Sequence, residues 1–133
     1  MGFDTKGIKK LVATGRKLDK IFSEEVDSLA DKVGKDFYDT ARKNQPRPDT
    51  GRLAASWSKS KETVGKHGRA LAVENSAPYA RYVEYGHKVK VHGKEVGYVK
   101  GRYFLKKSRR QVSKRLSGYY DDMIDRMEGR LSQ

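Results

Sequence analysis

The chain has 133 residues, of which 35% are hydrophobic and 35% charged, with a net charge of +13. That length suits one domain with a modest core, and so few apolar residues favour amphipathic helices against a small sheet over a large interior. No cysteine is present, which excludes a disulfide scaffold, thiol chemistry and a thiolate zinc site, and no apolar run approaches the ~18 residues of a membrane span.

Residues 4–44 read as helix. Ile8, Leu11 and Val12 form a short apolar stripe that fits a separate first helix ending near Gly15. From Arg16, apolar residues recur every three or four positions through Leu18, Ile21, Phe22, Val26, Leu29, Val33, Phe37 and Ala41. This is the period of a helix with one buried face. Asp19, Lys20, Glu24, Asp31, Lys35 and Lys43 occupy its other side as solvated surface. Gly34 marks either a close-packing position or a bend.

Pro46 and Pro48 stop the helix, because proline cannot continue it and pushes the preceding residue toward extended geometry. Asp49, Thr50 and Gly51 supply turn chemistry, and residues 52–63 then read as a strand with Leu53, Ala55 and Trp57 on one face. A turn over 65–68 leads to a second strand over 70–74, which makes an antiparallel hairpin. Asn75 to Pro78 break that strand, and 78–85 reads as a short helix ended by Gly86. Residues 87–99 alternate again around Gly93-Lys94, as a second, strongly basic and protruding hairpin. A helix over 103–131 closes the chain, with Leu105, Ser108, Val112, Leu116, Tyr119, Met123, Met127 and Leu131 on one face. The predicted fold class is therefore α+β: a long N-terminal helix and a C-terminal helix packed on a small antiparallel β-sheet. The domain reading is a single unit over 1–133. It comprises an extension or short helix (1–15), a long helix (16–45), a sheet with the short helix (52–105) and the C-terminal helix (103–131).

The charge is concentrated. Residues 1–44 carry ten Lys/Arg against eight Asp/Glu, whereas residues 86–115 carry eleven against the single acid Glu95. Lys88, Lys90, Lys94, Lys100, Arg102, Lys106, Lys107, Arg109 and Arg110 are the candidates to meet DNA or an acidic protein; a solvated face kept for solubility is the competing reading. Four of them crowd the start of the last helix, where cations oppose the helix dipole. A sequence selected only for helix stability would place them at the other end.

No catalytic set emerges. His67, His87 and His92 are the only histidines, and a spacing of five sends His87 and His92 to opposite faces of a strand, which is poor metal geometry. Glu84 lies beside Tyr82 and Tyr85 without a second acid–base partner, and a helix-surface carboxylate paired with Arg81 or a neighbouring chain fits it better. Phosphate-binding glycine loops are absent. The sequence predicts a binding or structural protein without cofactor, metal or membrane contact, made in a cytoplasm.

Three pieces stand in a fixed order: Pro48-Asp49-Thr50-Gly51-Arg52-Leu53 with Ser56, then Asn75 through His87 containing Tyr79-Ala80-Arg81-Tyr82-Val83-Glu84-Tyr85-Gly86, then Gly101-Arg102-Tyr103-Phe104-Leu105. Together they resemble the small tailed-phage head–tail joining and tail-completion family, over roughly residues 16–120 of this chain. The resemblance implies a virion protein of the neck or tail, assembled in the host cytoplasm as a homo-oligomeric ring. Its partners would be neighbouring neck, connector or tail-tube proteins. Two departures, Arg47-Pro48 before the turn and Lys106-Lys107 after Leu105, leave open a stopper, a tail-completion ring or a tail terminator. Arg52, Trp57, Tyr79, Arg81, Tyr82, Glu84, Tyr85, Phe104 and Leu105 are the subunit-interface candidates, on the pattern of an aromatic core with a charged rim. The competing reading has the tyrosine rings cap the chain's own core. In a ring, the basic stretch faces either DNA in transit, through phosphate contacts without base readout, or the next ring. A free small nucleic-acid-binding protein is the alternative in a different class, and a toxin-type ribonuclease lacks a recognisable acid–base set.

Overall fold

A computed structural model describes residues 5–46 and 51–133. In chain order the elements are α1 (Thr5–Asn44), α2 (Arg52–Ala55), β1 (Trp57–Val64), β2 (Gly68–Asn75), α3 (Ala80–Tyr85), β3 (Gly86–Val91), β4 (Lys94–Lys100) and α4 (Phe104–Leu131). The architecture is α+β, as the periodicities predict.

The two long helices form an antiparallel pair, fixed by side chains along its whole length. Asn44 donates to Ser108 Oγ at 3.0 Å and to Gln111 Oε1 at 2.7 Å. Asp36 accepts from the Arg115 guanidinium at 2.7 and 2.8 Å and from the Tyr119 hydroxyl at 2.8 Å. Glu25 accepts from Arg126 and Arg130, both at 3.1 Å, and Lys17 donates to the Gln133 carbonyl at 2.7 Å.

Strands β1 and β2 pair antiparallel from Trp57↔Asn75 to Val64↔Gly68, with Gly65 at φ +64° in the connecting loop. One face of this hairpin lies on α1: Lys61 bridges Asp27 and Asp31, Arg69 meets Asp27, and His67 meets Asp19. At Gly34 a Cβ would meet the Leu71 side chain at 3.7 Å, an ordinary van der Waals contact, so the hairpin packs on α1 here without requiring a glycine. The core proper sits at the other end of the hairpin, where Ala41, Leu53, Trp57, Ala77, Ala80 and Phe104 converge with Phe37, Tyr38, Val73 and Val83 around them. Trp57 and Phe104 meet edge to face at 5.8 Å, the offset geometry aromatic quadrupoles favour.

Three expectations need correction. The first helix does not end near Gly15: α1 is one helix of 40 residues, about 60 Å long at 1.5 Å per residue. Nothing lies within 4 Å of a Cβ built at Gly15, so that glycine costs helix propensity without breaking the helix. The stretch 52–63 is not one strand. Gly51, at φ +68°, starts a single helical turn that buries Leu53, and β1 begins only at Trp57. Leu53 and Ala55 therefore do not share a strand face. The strands form two separate two-stranded sheets, β1–β2 and β3–β4, the second being the hairpin expected over 87–99. Finally, Glu84 is not a surface carboxylate; its role is described below. The turn expected at Asp49 and Thr50 lies outside the described residues.

The second hairpin matches its basic, protruding description. Every residue of β4 is exposed. Its tip, His92-Gly93, has φ +51° and +79°, the two left-handed residues of a tight primed turn whose twist suits paired strands.

Candidate functional site

The order of the three sequence pieces has a structural meaning, because they interlock. Leu53 N–H donates to the Tyr79 hydroxyl at 3.0 Å, and the Asn75 amide donates to Leu53 O at 2.7 Å. Asn75 Oδ1 in turn accepts Ala77 N–H at 3.0 Å, closing the turn before α3. Trp57 Nε1 donates to Gln45 Oε1 at 2.6 Å, which ties the end of α1 to the start of β1.

Glu84 binds the second piece to the third. It is 3% exposed, and its carboxylate accepts Leu105 N–H at 2.8 Å and Lys106 N–H at 3.0 Å. Two of the amides that a helix start leaves without intrahelical partners are thereby satisfied. A negative charge at that end also offsets the dipole conflict created by Lys106, Lys107, Arg109 and Arg110. The backbone approaches closely here as well: Arg102 N–H donates to Val83 O at 2.8 Å and Tyr103 N–H to Glu84 O at 3.0 Å. A Cβ at Gly101 would collide with the Glu84 carbonyl and the Tyr85 backbone, so glycine is required there. Tyr103, at φ +48°, makes the left-handed step into α4.

The interface candidates consequently divide. Trp57, Phe104 and Glu84 are buried within the chain, and Tyr79 and Leu105 pack partly against the same core. Arg52, Arg81, Tyr82 and Tyr85 face outward. Tyr82 lies edge-on to His87 at 5.6 Å and Tyr85 edge-on to Tyr103 at 6.3 Å, while the Tyr98 hydroxyl donates to Tyr85 O at 2.8 Å. Two open depressions adjoin on this side. One is lined by Arg81, Tyr82, Tyr85, Gly86, His87, Lys88 and Lys90, the other by Arg102, Tyr103, Lys106, Lys107, Arg110, Gln111 and Lys114. Tyr103 was legible only within the third sequence piece, before Phe104, and Lys114 only within the basic stretch 86–115.

All nine cationic candidates are exposed. Among the described residues, only Lys88 has an ion pair, with Glu95 at 3.6 Å, and Lys106 sits over the Tyr103 ring at 5.7 Å. Elsewhere, acids of α1 are paired within the molecule. Asp36 is the extreme case: Arg115 donating to it outweighs burial and, helped by Tyr119 and Thr40, lowers its pKa to about 2. Burial pushes Glu25 up, but Arg126 and Arg130 more than compensate and lower it. The result is an unneutralised basic, tyrosine-bearing face on the second hairpin and the start of α4. No group of three or more His, Asp or Glu suited to a metal ion occurs among the described residues, and no described helix is long and apolar enough to cross a membrane.

Residues 9–86 match the family model described as "Bacteriophage HK97-gp10, putative tail-component". That match covers α1, α2, the first hairpin and α3, more than half of the chain, and the chain belongs to this HK97-gp10-like family of phage tail components. The family places it among virion structural proteins. No curated protein and no solved structure gives a match.

Proposed function

We propose that the chain is a ring subunit of the phage neck or upper tail, acting in head–tail joining or tail completion through protein–protein contacts rather than catalysis. The observation that carries this reading is the division of the interface candidates. The three sequence pieces lock α2, α3 and α4 into one core, and that core presents Arg81, Tyr82 and Tyr85 outward beside unpaired cations. Rigid aromatic side chains with arginine beside them are what interface centres favour. Heterologous contacts between identical subunits close into rings when the rotation fits. The chain would be assembled in the host cytoplasm against connector, neck or tail-tube proteins, with its basic face toward DNA in transit or the next ring.

A second reading, a free nucleic-acid-binding protein, is favoured by the unneutralised basic face alone. Electron microscopy of particles from a phage or prophage with this gene inactivated separates the two. Full heads beside unattached tails, or tails of uncontrolled length, are expected for the neck role. Normal joined particles would remove it and leave the nucleic-acid reading.

A further inference from the structure

Residues 5–18 form an N-terminal arm of α1 that is tied to the far end of α4 through the Lys17 bond to Gln133. Ile8, Leu11, Val12 and Leu18 continue the helical stripe that Phe22, Val26, Leu29 and Val33 bury further on, yet they are exposed, Leu11 at 72%. The last α4 contact falls at Lys17 and the first-hairpin tip reaches only Asp19, so none of the described residues covers this stripe. The same segment carries five Lys/Arg and no acid, together with Gly7 and Gly15. A solvated helix this short, self-repelling and glycine-bearing is marginal in water. A partner surface is what would hold it.

Two such arms do not suit each other, because pairing them would bring like charges together. The complementary surface lies elsewhere on the chain. On the face of the first hairpin turned away from α1, Glu62 and Glu74 stand over Ser60, Val64, Ala70 and Ala72. That face has two carboxylates, no cation and a floor of small side chains. Neither glutamate has an ion pair among the described residues, and both are exposed. Lys9 and Arg16 flank the apolar stripe about 10 Å apart along the helix. Glu62 and Glu74, four positions apart along the ladder and one strand across, are about 14 Å apart, within the reach of long side chains. Because α1 is one continuous helix directed past the hairpin tip, its arm cannot fold back onto its own hairpin's outer face.

We propose that residues 5–18 of one copy dock on the outer face of the first hairpin of a second copy, with the apolar stripe on Val64, Ala70 and Ala72 and the cations on Glu62 and Glu74. The contact is heterologous, so it propagates from copy to copy and builds a ring or a filament. It rests on the ring reading above and names the surfaces through which neighbouring copies meet.

The test is charge reversal with rescue on the purified full-length chain, followed by sedimentation velocity over a concentration series, with circular dichroism confirming each fold. Lys9→Glu with Arg16→Glu, and separately Glu62→Lys with Glu74→Lys, are each expected to weaken self-association at least tenfold. All four substitutions together are expected to restore it to within threefold of the wild type, which a merely structural role would not produce. If the wild type associates and the reversed variants associate equally well, the arm contact is overturned while a ring built by other surfaces stands. A wild-type chain that stays monomeric to about millimolar concentration also overturns the contact, and leaves the tail-assembly reading to microscopy of gene-inactivated particles.

Discussion

Replacing Glu84 by alanine would strand the Leu105 and Lys106 amides at a buried helix start and leave four cations opposing the α4 dipole with no anion against them. Losing a cap costs about 0.5–2 kcal/mol, and an unsatisfied buried donor about 1–3. Glu84→Ala is therefore expected to lower stability by about 2–3 kcal/mol, read as a fall in the denaturant midpoint at constant slope. An unchanged midpoint would remove the capping account. Asp36 makes a prediction of the opposite kind, visible only in acid. Its carboxylate is held at about 2 by Arg115 against an ordinary value of 3.8. A depressed carboxylate stabilises the fold above its unfolded pKa and ceases to do so as pH falls through the folded one. The contribution is thus complete above about pH 5 and lost between about pH 4 and 2. Arg115 is half exposed, so screening reduces it to about 1–2 kcal/mol. Thermal midpoints of the wild type and Asp36→Asn should differ at pH 6 and converge by about pH 2; a constant gap would show that Asp36 acts through something other than its charge.

Helices α1 and α4 were legible because their apolar stripes are long, and a 3.6-residue period sustained over seven turns leaves little choice of element. The break proposed at Gly15 was a propensity argument, and propensity at one glycine does not interrupt a helix whose neighbours are sound. Gly15→Ala consequently is expected to raise helix content by circular dichroism with no loss of thermal stability, since nothing crowds a Cβ there. A drop in stability would mean that the glycine is needed for a bend. Arg52–Ala55 was misread because one helical turn is too short to show a period, and its Leu53 lies on an inward side chain under either reading. The role of Glu84 was invisible for a different reason: its partners are backbone amides 21 and 22 residues away, and no local spacing encodes them. The second hairpin was legible from its alternation and glycines. Having no exposed-face partner, β4 is expected to exchange its amide hydrogens far faster than the α1–α4 seam; protection in β4 equal to that in α4 would mean that the hairpin is packed.

At the scale of the molecule, charge is sorted rather than spread. Aspartates and glutamates of α1 that face α4 and the first hairpin are consumed by local partners, and the surplus of cations collects around Tyr103. Keeping Lys106, Lys107, Arg109 and Arg110 at the start of α4 lowers helix stability, so neutralising them to glutamine should raise the melting temperature slightly. What that variant loses identifies what the face meets. If phosphates are its ligand, the purified variant binds duplex DNA more weakly, and the slope of log affinity against log salt falls by about 3–4, one counterion per lost contact. Under the proposed neck role, joining then proceeds normally and the defect appears when DNA passes the neck. If an acidic protein surface is the ligand, the salt slope for DNA is of no consequence and joining itself fails, with free heads and tails accumulating. A variant that is more stable, binds DNA as before and supports normal particles would mean that the basic face serves solubility alone.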